Sequence, residues 1–168
     1  MKNYSGLLAA VAFAVLAAGC GDHDGEAGTA TDGAVLPTAA TLGEQTVKSA
    51  AEYLAVEPYV DGNRSRGERQ AKLCKACHSL DEGGPHMIGP VLYGFFGREV
   101  GTREGFEYSA VMRNADFVWT PEAVDAWLAQ PGRFLPGNRM IFAGVPDEDD
   151  RIDLIAYLLE ATTAGNGE

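Results

Sequence analysis

Two cysteines and a histidine at fixed spacing constrain this chain more than any other feature. Residues 74–78 read Cys-Lys-Ala-Cys-His, the pattern Cys-x-x-Cys-His that is typical of covalent attachment of a c-type haem. Two thiols three positions apart can each form a thioether with one of the two vinyl groups on a haem edge. The next residue then brings its imidazole to the iron. The motif therefore predicts one haem attached through Cys74 and Cys77, with His78 as an iron ligand.

A Cys-x-x-Cys pair also occurs in thiol–disulfide motifs and in zinc sites. A redox pair usually lies near a βαβ pattern, and the sequence shows none. A structural zinc site needs four ligands, usually two such pairs, whereas the only other cysteine is Cys20, in a different kind of segment. Both interpretations stay open, and haem attachment is favoured over them.

The length and the net charge limit the number of domains and the kinds of partner that the protein can have. The chain has 168 residues and a formal net charge of −11. This length allows one domain with additional segments. An acidic balance argues against a nucleic-acid partner, because the phosphates would be repelled.

The first residues have the layout of a signal peptide, which we place at residues 1–19. One lysine precedes an apolar run over residues 6–18, which is shorter than the ~20 residues needed to span a bilayer. Leu16-Ala-Ala-Gly-Cys20 resembles a bacterial lipoprotein signal, which implies that Cys20 becomes the first mature residue and carries a stable lipid anchor. This predicts a periplasmic protein held at a membrane. The alternative is ordinary cleavage near Ala18, which gives a soluble periplasmic protein.

The remaining chain divides by composition. Residues 20–45 are rich in glycine, alanine, threonine and aspartate, which predicts a flexible tether in which His23 is solvated. Residues 46–63 are expected to form a short helix and a linker, with Val47, Ala50, Ala51 and Leu54 on one helical face. The compact domain is expected at 64–163 and a tail at 164–168.

Within the compact domain the patterns predict helices and loops but no strand pair, so we expect an all-α fold wrapped around one haem. The first helix begins near Ser65 and runs into the Cys-x-x-Cys-His segment, and residues 81–107 are glycine- and proline-rich loop. A short helix is predicted over 108–114. Thr120-Pro121-Glu122 has the capping hydroxyl, proline and acid of a helix start, and Gln130-Pro131-Gly132 ends that helix. The last helix begins near Asp147.

A methionine bound as the second axial ligand would leave the iron no free coordination position and would raise its reduction potential. The methionines after His78 are Met87, Met112 and Met140. Met87 is only nine residues after His78, and the short Gly-Gly-Pro loop between them leaves it little room to reach the other side of the iron. Met112 lies in the predicted short helix. Met140 follows a Pro-Gly turn that can present a side chain inward. Methionine is also a common core filler.

A series of segments in order identifies a resemblance over about half of the chain. The segments are Cys74-x-x-Cys77-His78, Gly89-Pro90, Gly94-x-Phe96-Gly97-Arg98, Gly105-Phe106-x-Tyr108, Trp119, Pro136-Gly137-x-x-Met140 through Gly144, and Asp153 to Leu158. From Cys74 to about Thr162 the chain resembles mitochondrial-type class I cytochrome c.

The resemblance implies roles for individual residues. Cys74 and Cys77 would hold the haem, and His78 and Met140 would be the proximal and distal iron ligands. The carbonyl of Pro90 would accept a hydrogen bond from the imidazole of His78 and so orient it.

Further roles concern the haem surroundings and the helix packing. Arg98, Tyr108 and Trp119 would hydrogen-bond or charge-balance the propionates, and Trp127 would lie on the methionine side of the ring. Gly67 would allow the first helix to cross the last one at Leu154 and Tyr157.

Several positions depart from the family pattern. Ala71 stands where an aromatic is expected, Met112 where asparagine is usual, and Asn138 where threonine is usual. His86 is expected to be structural. The family's mitochondrial members have many lysines around the exposed haem edge, and this chain has few basic residues for such a basic rim. The candidates are Lys72, Lys75, Arg103, Arg133 and Arg139.

The resemblance implies a monomeric one-electron carrier and not an enzyme, because an iron with two protein ligands has no position for substrate. Its partners would be membrane oxidases or reductases. One alternative is an enzyme, either a haem peroxidase or an electron-accepting dehydrogenase subunit. Another is a gas or redox sensor that binds its ligand after losing Met140.

Overall fold

The computed structural model describes residues 38–163. A 3-10 helix at Ala39–Thr41 precedes six α-helices: α1 Ala50–Leu54, α2 Arg64–Lys75, α3 Ala110–Arg113, α4 Pro121–Ala129, α5 Pro131–Phe134 and α6 Glu148–Ala161. In this range the only extended pairing is an isolated antiparallel bridge between Glu99 and Val118. The predicted all-α class is confirmed.

Some of the expected features fall outside the described residues. They are the signal peptide at 1–19, Cys20, His23, the tether up to residue 37 and the tail at 164–168. Among the helices that are described, none combines the length and the apolar character that a bilayer crossing requires.

Helices α2 and α6 cross at Gly67. A Cβ atom at this position would lie 2.8 Å from Cβ of Tyr157 and closer still to the carbonyl oxygen of Asp153, so only glycine allows this approach. Leu154 and Ala71 are fully buried at the same interface. The predicted crossing is therefore present, with the small Ala71 inside the core.

Polar contacts tie the ends of α2 and α6 together. Asp153 is buried; its carboxylate pairs with the guanidinium of Arg66 and accepts a hydrogen bond of 2.7 Å from the backbone of Asn63. The backbone of Asp150 donates to the carboxylate of Asp147 over 3.0 Å, which caps α6. A buried carboxylate with two hydrogen-bond donors is a satisfied polar group, so these contacts hold the N-terminal end of α2 against α6.

Helix α4 begins and ends where the sequence predicts, but a further helix follows it. The hydroxyl of Thr120 accepts a hydrogen bond of 3.2 Å from the backbone of Ala123, and Pro121 is the first helical residue. After Ala129 the chain turns at Gln130, and Pro131 starts the short helix α5. Proline suits a first helical position because its missing N–H would be unpaired there anyway. Helix α5 was not predicted.

The N-terminal segment, residues 38–63, differs most from expectation. Tyr53 and Tyr59 are both 5% exposed and belong to the core, so the expected linker packs on the domain and the compact unit begins before residue 64. The predicted helix is shorter than expected and starts at Ala50, where Ser49 and Glu52 form a capping box. Val47 lies before it and is 51% exposed, so the expected apolar face was wrong at this residue.

Candidate functional site

The Cys-x-x-Cys-His segment lies at the C-terminal end of α2. The backbone N–H groups of Cys77 and His78 both donate to the carbonyl of Cys74, over 3.0 and 2.9 Å. This last turn brings the two cysteines and the histidine together. Both cysteines are partly buried and are not joined in a disulfide. Burial raises the pKa of the Cys74 thiol to about 11.

The imidazole of His78 is held by a backbone carbonyl. Its Nδ1 lies 2.6 Å from the carbonyl oxygen of Pro90. A carbonyl can only accept, so Nδ1 carries the proton and donates, and Nε2 keeps its lone pair. Burial lowers the pKa of His78 more than the hydrogen bond to Pro90 raises it. A neutral imidazole with an unprotonated Nε2 is a metal-binding form of histidine.

The loop after His78 is fixed by hydrogen bonds to that segment. The backbone of Gly89 donates to the carbonyl of Cys77 over 2.8 Å, and Leu92 donates to Ser79 over 2.8 Å. His86 bridges the loop: its Nε2 lies 2.9 Å from the carbonyl of Glu104, and its Nδ1 accepts from the backbone of Val91 over 3.1 Å. Both of its ring nitrogens are used within the loop, which agrees with a structural role.

Two arginines and a tyrosine gather on another side of the site. The guanidinium groups of Arg98 and Arg103 donate to the carbonyls of Gly94 and Tyr93. Burial lowers the pKa of Arg103, and the charge of Arg98 lowers it further. Burial raises the pKa of Tyr108, against the opposing effect of the two arginines. Within residues 38–163, neither arginine forms an ion pair with a carboxylate.

Trp119 is brought to Arg98 by backbone pairing. The backbone of Trp119 donates to the carbonyl of Arg98 over 3.0 Å, and Gly97 donates back to the carbonyl of Trp119 over 3.0 Å. The three residues predicted to surround propionates therefore lie in one region, since Tyr108 interacts with both arginines. Two partly buried cations without an acidic partner fit a group that carries carboxylates.

Ser109 is a polar residue that the sequence did not indicate. It follows Tyr108, and its hydroxyl is buried without a hydrogen-bond partner among the described residues. Buried hydroxyls are nearly always paired. An orphaned hydroxyl beside Tyr108 thus also fits a polar group of a cofactor at this place.

Aromatic rings form one wall of the site. The ring of Trp119 meets those of Phe117 and Trp127 edge-on, with centroids 4.8 and 5.6 Å apart, and Trp127 meets Phe134 at 5.8 Å. Trp127 is nearly fully buried. The wall is apolar, as the face of a haem ring requires.

Asn138 organises the turn before Met140. Its side-chain amide donates to the carbonyls of Pro131 and Leu135 over 2.9 and 2.8 Å, and its oxygen accepts 2.9 Å from the backbone of Met140. Gly137 has a φ of 87° within this turn, a conformation that favours glycine. The residue that replaces the expected threonine therefore holds the methionine loop through three hydrogen bonds.

The three candidate methionines lie in different surroundings. Met87 is 48% exposed, which does not suit an iron ligand. Met112 and Met140 are both partly buried and pack against the core.

The basic rim expected from the sequence is only partly a surface feature. Arg103 belongs to the partly buried cluster with Arg98 and is not a rim residue. Arg139 donates to the carbonyl of Glu107, and Nζ of Lys75 donates to the hydroxyl of Tyr157 over 3.1 Å. Lys72, Lys75, Arg133 and Arg139 are all exposed.

Known proteins match the segment that contains the site. The chain is 41% identical over 112 residues to cytochrome c2 of Blastochloris viridis, an alignment that covers 67% of this chain and 88% of that protein. It is 43% identical over 102 residues to cytochrome c of Chlamydomonas reinhardtii, which covers 60% of this chain and 91% of that protein. Cytochrome c-type cyt cy of Rhodobacter capsulatus is 44% identical over 108 residues, or 63% of this chain and 53% of that protein. No protein-family model matches the chain.

These relatives settle the interpretation of the cysteine pair. An alignment at 41% identity over 88% of the cytochrome c2 establishes common family membership, so the thiol–disulfide and zinc interpretations fall, and so does the enzyme alternative. The chain belongs to the class I cytochrome c family: it carries one haem c attached through Cys74 and Cys77, and it is an electron-transfer protein.

Proposed function

We propose that His78 and Met140 bind the iron from opposite sides. The observation that carries this is the hydrogen bond of 2.6 Å between His78 Nδ1 and the carbonyl of Pro90, which leaves Nε2 unprotonated, the form that can bind a metal. Support for Met140 comes from the turn that Asn138 fixes, together with the exposure of Met87. The bound haem supplies an iron that alternates between Fe(II) and Fe(III).

The surrounding residues of the chain keep outside ligands away from that iron and give it an apolar environment. Trp119 and Trp127 would provide an apolar wall that lowers the local dielectric constant around the haem, and Trp127 would lie on the methionine side. Arg98, Tyr108, Trp119 and Ser109 hold the propionates. Two cations close to carboxylates offset the cost of burying those charges. A protein thioether at the second axial position raises the reduction potential.

The proposed setting is the periplasm, at a membrane surface. Residues 1–19 would direct export, Cys20 would carry the lipid, and the residues after it would act as a tether. Confinement raises the effective concentration of the carrier at membrane oxidases and reductases without tighter binding. The soluble periplasmic form is the alternative if the signal is cleaved without lipidation.

A redox titration of purified holoprotein with visible spectra tests the ligation. We expect the far-red absorption band of a methionine–iron bond in the oxidised protein. Met140→Ala should remove this band, lower the potential and allow carbon monoxide to bind the folded ferrous protein. Met112→Leu is the matched control, since Met112 is also partly buried, and it should keep the band. Survival of the band in Met140→Ala would refute the assignment.

Membrane fractionation tests the anchor separately. Cys20→Ala should move the holoprotein from the membrane to the soluble fraction, with an unchanged visible spectrum. If the variant stays with the membrane, the lipid anchor is wrong while the iron ligation is unaffected.

A further inference from the structure

Arg151 is the only buried cation in the described range, residues 38–163. It is the fourth residue of α6 and is 6% exposed. A cation in this place does not stabilise the helix itself, because it lies near the positive end of the helix dipole. A guanidinium removed from water is also costly unless its donors are paired. The position of Arg151 is therefore explained by its contacts with other elements.

The guanidinium of Arg151 joins three parts of the chain. Its Nε donates to the carboxylate of Asp125 in α4 over 2.7 Å. Its Nη1 donates to the carbonyls of Val145 and Pro146 over 3.1 and 2.8 Å. Because the guanidinium is planar and rigid, the carboxylate on one side directs its other donors at the backbone that precedes α6.

Val145 and Pro146 lie at the end of the segment that begins with Met140. Residues 140–147 have no helix or strand. Within this segment, residues 141–144 form no backbone-to-backbone hydrogen bond with the rest of the described chain. Hydrogen bonds between backbone groups therefore hold the segment only at its C-terminal end.

That C-terminal end lies against the last turn of α4. The backbone of Val145 donates to the carbonyl of Leu128 over 2.7 Å. A Cβ atom at Gly144 would lie 2.6 Å from the carbonyl oxygen of Ala129 and 2.8 Å from that of Leu128, so the two backbones are in close contact. Because Asp125 belongs to the same helix, its ion pair with Arg151 fastens the segment to α4.

We propose that Arg151 and Asp125 are positioning residues for Met140, the proposed distal ligand. Their ion pair fixes the chain after Met140, as Asn138 fixes the chain before it. A segment fixed on both sides loses little conformational freedom when the thioether binds, so outside ligands compete with it poorly. This inference rests on the proposed function, because it requires that Met140 binds the iron.

A second ion pair of α6 provides a matched control. Asp153 pairs with Arg66 of α2, and the hydrogen bonds and ion pairs of these two residues do not involve residues 140–147. Arg66→Gln and Arg151→Gln each remove one ion pair of α6 and the same charge. Both variants should lower the stability of the fold, but only Arg151→Gln should loosen the segment.

The first measurement is hydrogen exchange of the Val145 amide, followed by NMR in the reduced holoprotein. It reports on the segment whichever residue binds the iron. We expect exchange about tenfold faster in Arg151→Gln than in Arg66→Gln, because two hydrogen bonds from a charged donor to this segment are lost. Equal exchange in the two variants would overturn the proposal.

The second measurement is displacement of Met140 by imidazole, followed by loss of the far-red band in the oxidised holoprotein. Arg151→Gln should lower the midpoint concentration of imidazole about tenfold, and Arg66→Gln should leave it unchanged. Asp125→Ala changes a partly exposed side chain and serves if Arg151→Gln does not fold. It should lower the midpoint about threefold, because Arg151 loses the carboxylate that orients it.

The outcomes separate this inference from the proposed function. A parent protein with the far-red band, together with unchanged midpoints in Arg151→Gln and Asp125→Ala, would overturn the positioning role alone. If the parent protein lacks the band, the proposed ligation is wrong. Exchange of the Val145 amide then still shows whether Arg151 holds the segment.

Discussion

The side-chain amide of Gln45 pairs with the backbone of Val118 through two hydrogen bonds. Nε2 of Gln45 donates to the carbonyl of Val118 over 2.7 Å, and the N–H of Val118 donates to Oε1 of Gln45 over 2.8 Å. The pair joins residues 73 positions apart. Val118 precedes Trp119, so the N-terminal segment is fastened to the aromatic wall of the haem site.

Replacing Gln45 should therefore destabilise the domain. Gln45→Ala leaves the N–H and carbonyl of Val118 without their partner, and we expect a loss of about 1–3 kcal/mol in the free energy of unfolding. Denaturant unfolding of the holoprotein measures it. Thr46→Ala, at an exposed neighbouring position, is the control and should change stability by less than about 0.5 kcal/mol. Equal losses in the two variants would show that the pair contributes nothing specific.

The crossing of α2 and α6 depends on the missing side chain of Gly67. Gly67→Ala places a Cβ atom against the backbone of Asp153, and neither helix can yield without losing its packing. We expect a loss of at least about 2 kcal/mol, measured by thermal unfolding. Gly132→Ala is the control in α5, because a Cβ there meets nothing within 4 Å and alanine favours helix. A harmless Gly67→Ala would mean that the helices can separate freely.

Asn138 should control how firmly Met140 stays in place. Asn138→Ala removes three hydrogen bonds from the turn, so Met140, the proposed distal ligand, should leave the iron more readily. We expect added imidazole to displace it at a concentration about tenfold lower, a change equivalent to roughly 1.4 kcal/mol. Loss of the far-red band during imidazole titration measures this. An unchanged titration would assign the stability of the loop to other contacts.

Replacing Ser109 should show whether its buried hydroxyl contacts the haem or stays unpaired in the holoprotein. If its buried hydroxyl donates to a propionate, Ser109→Ala should lower the reduction potential, because a less stabilised carboxylate favours Fe(III). It should also cost about 1 kcal/mol of stability. If the hydroxyl is unpaired in the holoprotein, its removal should stabilise the fold and leave the potential unchanged.

The sequence predicted those features that depend on neighbouring residues or on the family resemblance. The cap at Thr120 depends on three consecutive residues, and the need for glycine at residue 67 follows from the family's helix crossing. The role of Gln45 could not be predicted, because its partner is distant in sequence and is a backbone group that no side-chain pattern reveals. Tyr53 lies in the predicted short helix and Tyr59 beside the chain breakers Pro58 and Asp61-Gly62-Asn63, and tertiary packing that these local signals do not reveal buries both.

The same distinction applies to the site. The cysteine and histidine spacing indicated the haem directly, and the carbonyl of Pro90 was expected from the resemblance. Ser109 was missed because a serine carries no signal until its surroundings show that its hydroxyl is buried and unpaired. Helix α4 ends before Pro131 as expected, and α5 was missed because proline also suits the first position of a new helix.

The orientation of His78 depends on Gly89 as well as on Pro90. A Cβ atom at Gly89 would lie 2.6 and 2.7 Å from Nδ1 and Nε2 of His78, and closer still to Cε1. Gly89→Ala should therefore turn the imidazole and weaken its proposed bond to iron. We expect a lower yield of holoprotein and a visible spectrum with a high-spin component, whereas Gly132→Ala should show neither. A low-spin spectrum and normal yield in Gly89→Ala would indicate that the loop moves away, in which case the hydrogen bond to Pro90 does not fix the ring.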